Sequence, residues 1–197
     1  HPAEERLKKE AKTKYHLPAR YILCVGSIEE RKNALLAVEA MTGVPEDIHL
    51  VLVGKRTRYT NQIDSFISTH QLEQRVHLLH DVTFQYLPAI YQLAEIFVYP
   101  SRFEGFGIPI IEALHSGIPV IAATGSCLEE AGGPDSVYVH PDDKEGLKEA
   151  INALLNNPEK RQYIIKQGQQ YVTRFSEKRQ ADELMDLYHS LLEGQQI

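Results

Sequence analysis

Short apolar runs of β-forming residues recur along the chain, separated by segments whose apolar positions follow helical spacing. Each run stops at a glycine, a proline or a polar turn, as is typical of strands that are buried on both faces of a sheet. The six predicted strands are Tyr21–Val25, Ile48–Val53, Val76–Leu79, Ile96–Tyr99, Val120–Ala123 and Val137–Val139. Strands that alternate with helices predict a doubly wound parallel α/β sheet with right-handed crossovers and helices on both faces.

The intervening segments predict the helices. They are Pro2–Tyr15, Ala34–Ala40, Asn61–His70, Phe84–Leu93, Ile110–Ser116, Lys144–Asn156, Pro158–Arg174 and a last amphipathic helix capped by Ser176. Asp142 or Asp143 is expected to cap the helix that begins at Lys144. The last helix has one apolar stripe, made of Leu184, Leu187, Leu191 and Leu192. Two or three helices therefore extend beyond the six-strand pattern at the C-terminal end.

The stretch Ala94–Ala123 contains a strand, a loop, a helix and a second strand, which is a unit of parallel sheets. Pro109 suits the first turn of the helix, and Gly117 suits its C-terminal cap. The loop between strand and helix carries Glu104 and two glycines, where the backbone is free to adopt unusual conformations. Ligands of open α/β sheets bind at such loops, so this one is a candidate binding element.

Composition narrows the function classes. The 197 residues are 43% hydrophobic and 24% charged, as in one soluble globular domain, and the net charge of −6 argues against nucleic-acid binding. No apolar run approaches the roughly 20 residues of a membrane-spanning helix, and the charged N-terminus does not resemble a signal peptide. Cys24 and Cys127 are expected to be free thiols of a reducing compartment. A chain that begins with His1 suggests a segment of a longer protein.

Five cations follow the first two predicted strands, namely Arg31, Lys32, Lys55, Arg56 and Arg58. The carboxyl ends of parallel strands share one edge of the sheet, so these side chains are expected to lie at the same edge. Arginine offers a planar fork for phosphate oxygens and lysine a mobile point charge, a combination that suits a diphosphate. The alternative is that they are solvated loop charges.

Two carboxylates, Glu104 and Glu112, are separated by seven residues across the loop and the helix start. Carboxylates accept hydrogen bonds from paired hydroxyls, such as those of a sugar or a ribose. Amide groups after Gly105 and Gly107, at a helix N-terminus, add donors for an anion or a hydroxyl. The alternatives are an exposed loop acid at Glu104 and, at Glu112, a first-turn acid that complements the helix dipole.

Other motifs are incomplete. The turn after the first strand lacks G-x-G-x-x-G, and Gly54-Lys55-Arg56 lacks the other residues of a P-loop. His77 and His80 have no carboxylate or cysteine cluster beside them, so we expect no metal site and a structural role for these histidines. Ser126 is not part of a G-x-S-x-G elbow, which argues against a hydrolase of that class.

The segment Glu104–Ala113, which reads EGFGIPIIEA, and the VGSIEERKN turn at Val25–Asn33 carry a family resemblance. With the surrounding strands they resemble the C-terminal half of a retaining GT-B glycosyltransferase of family four, mannosyltransferase-like, over nearly the whole chain. The resemblance implies a Rossmann-like fold and makes residues 1–197 one donor-binding domain, whose N-terminal acceptor domain lies outside this chain. It implies metal-independent transfer, without a cofactor, from a nucleotide-diphosphate sugar, with GDP-mannose favoured and the anomeric configuration retained.

The resemblance also implies roles. Arg31 and Lys32 would bind the donor diphosphate, and Glu104 would hold the sugar hydroxyls; these three are the implied catalytic residues. Glu112 would bind the ribose hydroxyls. Many members of the family have arginine where this chain has Ser27, and Arg31 would supply that charge. The implied donor-binding residues are Gly26, Ser27, Lys55, Arg56, His80, Asp81, Val82, Gly105, Phe106, Gly107, Ile108 and Glu112.

The implied partners are a nucleotide sugar, the N-terminal acceptor domain and a glycan or lipid-linked acceptor of polysaccharide or glycoconjugate synthesis, without nucleic acid. The implied location is cytoplasmic, with the inner face of the membrane as an option for the full-length enzyme. The isolated domain is expected to bind donor and barely turn over. Two alternatives stay open, a non-catalytic module that binds nucleotide sugars or a protein, and an epimerase or hydrolase on the same fold.

Overall fold

A computed structural model describes residues 3–193 and contains one parallel sheet of six strands. The strands are β1 (Tyr21–Val25), β2 (His49–Val53), β3 (Val76–Leu79), β4 (Ile96–Tyr99), β5 (Val120–Ala123) and β6 (Val137–Val139). All six predicted strands are confirmed, and the only changed boundary is the start of β2, one residue later than expected. The apolar runs therefore predict the positions of the strands well, because both faces of the sheet are covered.

Helices fill the connections. They are α1 (Glu5–Lys14), α2 (Ala34–Ala40), α3 (Thr60–Thr69), α4 (Leu87–Leu93), α5 (Ile108–His115), α6 (Leu128–Gly132), α7 (Lys144–Leu155), α8 (Pro158–Tyr171) and α9 (Glu177–Glu193). The prediction of one helix over Phe84–Leu93 is wrong, because a 3-10 turn over Phe84–Tyr86 precedes α4. Pro88 lies in the first turn of α4, where its missing N–H is tolerated. The last turn expected at the end of α8 is likewise a 3-10 turn, Val172–Phe175.

The strand order β3-β2-β1-β4-β5-β6 places the point at which the winding direction reverses between β1 and β4. These two strands are paired in parallel through Ile22 with Ile96 and Leu23 with Phe97. In open α/β sheets a crevice forms beyond the carboxyl ends of the two strands that flank this switch point. The loops that follow β1 and β4 therefore form the candidate ligand site.

Two hydrophobic cores cover the faces of the sheet. On one face Ile22, Leu50 and Ile121 pack with residues of α2, α3 and α7. On the other face Leu23 and Phe97 pack with residues of α1, α4 and α5. The predicted doubly wound sheet with helices on both faces is thus confirmed.

Side-chain caps mark the starts of two helices. Asp143, rather than Asp142, caps α7, and its carboxylate accepts a 2.8 Å hydrogen bond from the Gly146 amide. Ser176 Oγ accepts a 3.4 Å hydrogen bond from the Arg179 amide at the start of α9. The predicted stripe of α9 is exposed at Leu184, Leu187 and Leu191, whereas the side chain of Leu192 lies outside what the structure describes. Among the described helices, none combines the length and the apolar character that a bilayer crossing requires.

Asn33 holds three loops together. Its backbone is left-handed, with φ of 56°, and its side chain is buried. The side-chain amide donates hydrogen bonds to the carbonyls of Pro100 at 3.1 Å and Pro141 at 2.7 Å, which belong to the loops after β4 and β6. Asparagine suits this position because it tolerates the left-handed region and offers two donors.

We expect Asn33→Ala to lower the free energy of unfolding by about 2 kcal/mol, since one buried and one partly buried carbonyl lose their donor and alanine is strained in the left-handed region. Asn33→Gly removes the hydrogen bonds but not the conformational tolerance, so it should cost less than the alanine variant. Chemical denaturation measures both. A loss below about 0.5 kcal/mol in the alanine variant would contradict this role.

Candidate functional site

The loops after β1 and β4 meet at the carboxylate of Glu104. Its Oε1 atom accepts hydrogen bonds from Ser101 Oγ at 2.7 Å and Tyr99 OH at 2.9 Å, and it lies 2.5 Å from Lys32 Nζ. The side chain is only 10% exposed. Glu104 is therefore not the exposed loop acid of the alternative interpretation, but the centre of a polar cluster at the switch point.

The two neighbouring cations differ in exposure. The side chain of Lys32 is 14% exposed, and its Nζ atom also donates to Tyr99 OH at 2.7 Å. Arg31 is 48% exposed, and its NH1 group lies 3.3 Å from Glu104 Oε2 and donates to the Phe103 carbonyl at 3.2 Å. Its Nε atom pairs with Glu29 at 3.1 Å, and a hydrogen bond to Ser27 contributes most to lowering the pKa of that Glu29 carboxyl. Lys32 thus lies inside the crevice and Arg31 at its rim.

The cluster keeps Glu104 ionised. Burial alone would raise its pKa, but hydrogen bonds from Lys32, Ser101 and Tyr99, together with the charge of Lys32, outweigh burial and hold the pKa below its ordinary value. Burial and the adjacent Glu104 carboxylate raise the pKa of Tyr99, which therefore stays a neutral phenol at neutral pH. A carboxylate in this state serves as a hydrogen-bond acceptor and a negative charge, and not as a proton carrier.

Backbone contacts fix the two loops to each other. The Arg31 carbonyl accepts a 2.8 Å hydrogen bond from the Arg102 amide and lies 3.1 Å from Ser101 Oγ. From the loop after β5, Cys127 Sγ donates to the Glu104 carbonyl at 3.2 Å. Cys127 and Cys24 are both free thiols, and Cys24 is buried in β1. The site is therefore preorganised rather than assembled from mobile loops.

Glu112 lies apart from this cluster. It is the fifth residue of α5, not a first-turn acid, and its Oε2 atom accepts a 2.8 Å hydrogen bond from Tyr91 OH on α4. It borders a groove of about 320 Å³ between α4 and α5. The groove is lined by Phe84, Leu87, Pro88, Tyr91, Gln92, Ile111, Glu112, His115 and Ser116. This groove is mainly apolar with one carboxylate, a composition that suits a flat ring carrying hydroxyls.

The loop after β2 contributes less than the sequence predicts. Arg56 forms an ion pair with Asp64, and its NH1 atom lies 3.4 Å from Nε2 of His80. His80 Nδ1 in turn lies 3.1 Å from the Gly54 carbonyl. Within residues 3–193, no ion pair or hydrogen bond joins Lys55 or Arg56 to Glu104. Two of the five predicted cations, Arg31 and Lys32, are thus brought to the carboxylate.

The backbone of Gly105–Ile108 opens α5 beside Glu104. Gly107 precedes the helix with φ of 103°. Of the first residues of α5, Pro109 has no N–H and the Ile110 amide donates to the Gly107 carbonyl at 2.9 Å. The Phe106 ring packs edge-on against Phe175, with ring centres 5.4 Å apart. Gly105 has no positive φ, so the expectation of an unusual backbone is wrong at Gly105 and right at Gly107.

Three other predicted residues lie at the same edge of the sheet. The Gly26 amide ends β1 with a 2.9 Å hydrogen bond to the Val53 carbonyl. Asp81 is exposed, and the partly buried Val82 packs on the core that includes α4. The structure describes no group of three or more His, Cys, Asp or Glu residues arranged for a metal ion within residues 3–193.

Three polar residues of the site had no role in the sequence prediction: Tyr99, Ser101 and Tyr91. Tyr99 and Tyr91 were indistinguishable from other apolar positions of a strand and a helix. Their hydroxyls reach Glu104 and Glu112 only because both rings are held by the core. A tyrosine as the last residue of a strand before a polar loop is the one signal that could have indicated Tyr99.

Comparison with known proteins gives a consistent result. The sequence profile of the family described as "Glycosyl transferases group 1" matches residues 5–171. The chain is 32% identical over 155 residues to the O-antigen chain mannosyltransferase RfbU of Salmonella typhimurium LT2, covering 79% of this chain and 43% of that protein. It is 28% identical over 175 residues to the O-antigen chain mannosyltransferase B of Escherichia coli, covering 87% and 46%.

A solved structure agrees with this match. The sucrose-phosphate synthase of Thermosynechococcus elongatus superposes with a TM-score of 0.81 and 29% identity, over 94% of this chain and 49% of that one. The chain therefore spans about half the length of the proteins it matches. The match supports the Rossmann-like α/β fold expected from the sequence.

Proposed function

Because this chain belongs to the glycosyl transferases group 1 family, we propose that it is the donor-binding domain of a glycosyltransferase that uses a nucleotide-diphosphate sugar. The observation that carries the proposal is the contact of Lys32 and Arg31 with Glu104 across the switch point. Two cations and one ionised carboxylate at this place match two adjacent and unlike parts of such a donor, the anionic diphosphate and the neutral sugar that is bonded to it.

The cations have donors left for phosphate. Lys32 uses two of its three N–H groups, on Glu104 and on Tyr99. The NH2 group of Arg31 makes no hydrogen bond with any residue that the structure describes. We place the donor diphosphate against these free groups, where their charge stabilises the leaving nucleotide in the transition state. In this proposal the two cations neutralise the leaving group without a metal ion.

Glu104 has one oxygen left for the sugar. Its Oε1 atom is occupied by three partners, whereas Oε2 has only Arg31 at 3.3 Å. Oε2 is therefore the atom that we assign to a sugar hydroxyl. The fixed negative charge also favours the oxocarbenium-like character that develops at the sugar, and its lowered pKa keeps that charge in place. We propose transfer with retention, in which the site positions the reactants rather than moving a proton.

The ribose is assigned to the groove between α4 and α5, with Glu112 on its hydroxyls. His80, Asp81 and Val82, which lie outside the lining of that groove and follow β3, are assigned to the base. GDP-mannose is the favoured donor because both relatives described above are named mannosyltransferases. For the whole enzyme we propose an N-terminal acceptor domain, a glycan or lipid-linked acceptor and a cytoplasmic location.

Calorimetric titration of the chain with GDP, GMP and UDP tests the donor assignment. We expect GDP to bind at least about tenfold more tightly than GMP, because the second phosphate adds charge-assisted hydrogen bonds. We also expect GDP to bind more tightly than UDP. Equal affinities for GDP and GMP would contradict the diphosphate site, and a preference for UDP would replace GDP-mannose with a uridine donor.

Substitutions at two nearby glycines distinguish an effect on donor binding from an effect on folding. A Cβ atom at Gly105 would meet no atom within 4 Å, whereas at Gly107 it would lie 3.1 Å from Ala131 and Leu128, at a positive φ. Gly105→Ala should therefore leave the free energy of unfolding within about 0.5 kcal/mol and yet weaken GDP-mannose binding by about tenfold, since the methyl group occupies donor space.

Gly107→Ala is the matched variant and should lower the free energy of unfolding by about 1–3 kcal/mol, because alanine is strained there. Chemical denaturation and donor titration of both variants make the comparison. If Gly105→Ala binds the donor like the unchanged chain, the donor does not approach this loop.

A further inference from the structure

A second cavity, of about 240 Å³, lies behind the turn that carries Arg31 and Lys32. Its polar lining consists mainly of Glu30, Glu39, Tyr59, Gln62, Arg102 and Asp142. Glu30 immediately precedes Arg31, and the Arg102 amide donates to the Arg31 carbonyl at 2.8 Å. The cavity and the donor site therefore share one piece of backbone and lie next to each other.

The polar groups of this cavity are mostly uncommitted. Glu30 and Gln62 are exposed at the mouth of the cavity, Glu39 and Tyr59 are half-buried, and none of these four side chains forms a hydrogen bond or ion pair with the residues that the structure describes. Arg102 is the exception, paired with Asp142 at 2.6 Å. Burial raises the pKa of the Tyr59 phenol, and the nearby carboxylates of Glu30 and Glu39 raise it further against the opposing charge of Arg102. Tyr59 OH thus lies among three charged groups without a hydrogen bond of its own.

This lining selects a class of ligand. Three carboxylates against one guanidinium give the cavity a negative balance, which disfavours phosphates and other anions. Adjacent carboxylates accept hydrogen bonds from neighbouring hydroxyls, while Arg102 and Gln62 donate, and the Tyr59 ring offers an apolar surface for C–H groups. The volume lies below the roughly 300 Å³ at which pockets for drug-sized ligands begin, which fits one ring and not a nucleotide.

We propose that this cavity is a carbohydrate subsite that holds one neutral sugar ring of a glycan, separate from the sugar of the donor. The donor sugar is assigned to Oε2 of Glu104, which does not line this cavity. A glycan ring held here stays close to the donor site, which raises the effective concentration of the glycan beside it. Binding of the ring depends on none of the donor contacts, although the choice of a glycan rests on the proposed function.

The test is an NMR titration of the chain with methyl α-mannoside and, separately, with a linear α-mannotriose. We expect both ligands to bind with affinities within about threefold of each other, because one ring fills the cavity, and Glu39→Gln and Tyr59→Phe to weaken the binding of both by about tenfold while GDP affinity stays within about twofold. Lys32→Ala should do the reverse. Glu73→Gln, an exposed acid far along the chain, is the matched control and should change neither affinity.

Other results of these titrations would contradict specific parts of the proposal. Trisaccharide binding that is absent, or unchanged in Glu39→Gln and Tyr59→Phe, overturns the proposal. Binding of the trisaccharide that is more than about tenfold tighter than that of the single ring means that more than one ring is held, and it overturns the one-ring subsite. Loss of GDP binding in the unchanged chain with trisaccharide binding intact contradicts only the donor site. Should the two variants fail to fold, Gln62→Ala, whose side chain is exposed, provides the same comparison without touching the core.

Discussion

Replacing Lys32 with alanine is expected to reduce the affinity of the chain for GDP by about 100-fold. A single charge-assisted hydrogen bond to phosphate contributes about 1.5–3 kcal/mol, which corresponds to one to two orders of magnitude. The variant loses that contact and also removes the nearer of the two cations beside Glu104, whose side chain is 10% exposed, so that the carboxylate faces the diphosphate with only Arg31 to offset its charge. Both changes act in the same direction, so the effect should lie at the upper end of this range.

Titration calorimetry of Lys32→Ala measures this loss, and denaturation of the same variant reports any change in stability separately. Lys166→Ala, an exposed lysine on α8, is the control for a general loss of positive charge. Lys32→Arg should keep part of the affinity, because the charge remains while its geometry changes. An affinity in Lys32→Ala within about threefold of the unchanged chain would remove Lys32 from the phosphate site.

The second large effect that we expect concerns pH: Glu104 should make the stability of the folded chain depend on it. Its pKa is lower in the folded chain than in the unfolded one, so its stabilising contribution is fully present above the unfolded pKa of about 4.3 and is lost as the pH falls through the folded pKa. Glu104→Gln removes the charged hydrogen bond from Lys32 and should lower the free energy of unfolding by about 2 kcal/mol at pH 7.

The difference between the unchanged chain and Glu104→Gln should therefore shrink once the pH falls below about 4.3. Urea denaturation across this range measures it, with Glu73→Gln as the control for an exposed carboxylate. A difference that stays constant across the range would mean that Glu104 is not preferentially ionised in the folded chain.

Much of the fold could be predicted because strands buried on both faces leave an unambiguous apolar run. Both boundaries of five of the six strands follow from this alone, and the loops after Val25 and Tyr99, which the sequence predicts at one edge of the sheet, do meet there. The order of the strands in the sheet could not be predicted in this way. Nothing in the spacing shows that β1 pairs with β4, and that pairing is what brings Arg31 and Lys32 to Glu104.

The details of the site were beyond the sequence because they depend on contacts between distant residues. Lys32 reaches Tyr99 across 67 residues, and Asn33 reaches Pro141 across 108. The burial of Glu104 could not be predicted either, because a loop glutamate is usually solvated and only the packing of its neighbours buries this one. The commitment of Arg56 to Asp64 depends on how α3 is oriented after the loop.

The central claim is that one site is formed by the two loops at the switch point. An NMR titration of the isotope-labelled chain with GDP tests it most directly, because every assigned backbone amide reports its own environment. We predict that the shifted amides cluster in residues 26–33 and 101–112 and in residues 80–82, which are assigned to the base, while those around His49, at the opposite end of β2, stay unchanged. Saturable shifts confined to other parts of the chain, or no shifts at all, would contradict the account.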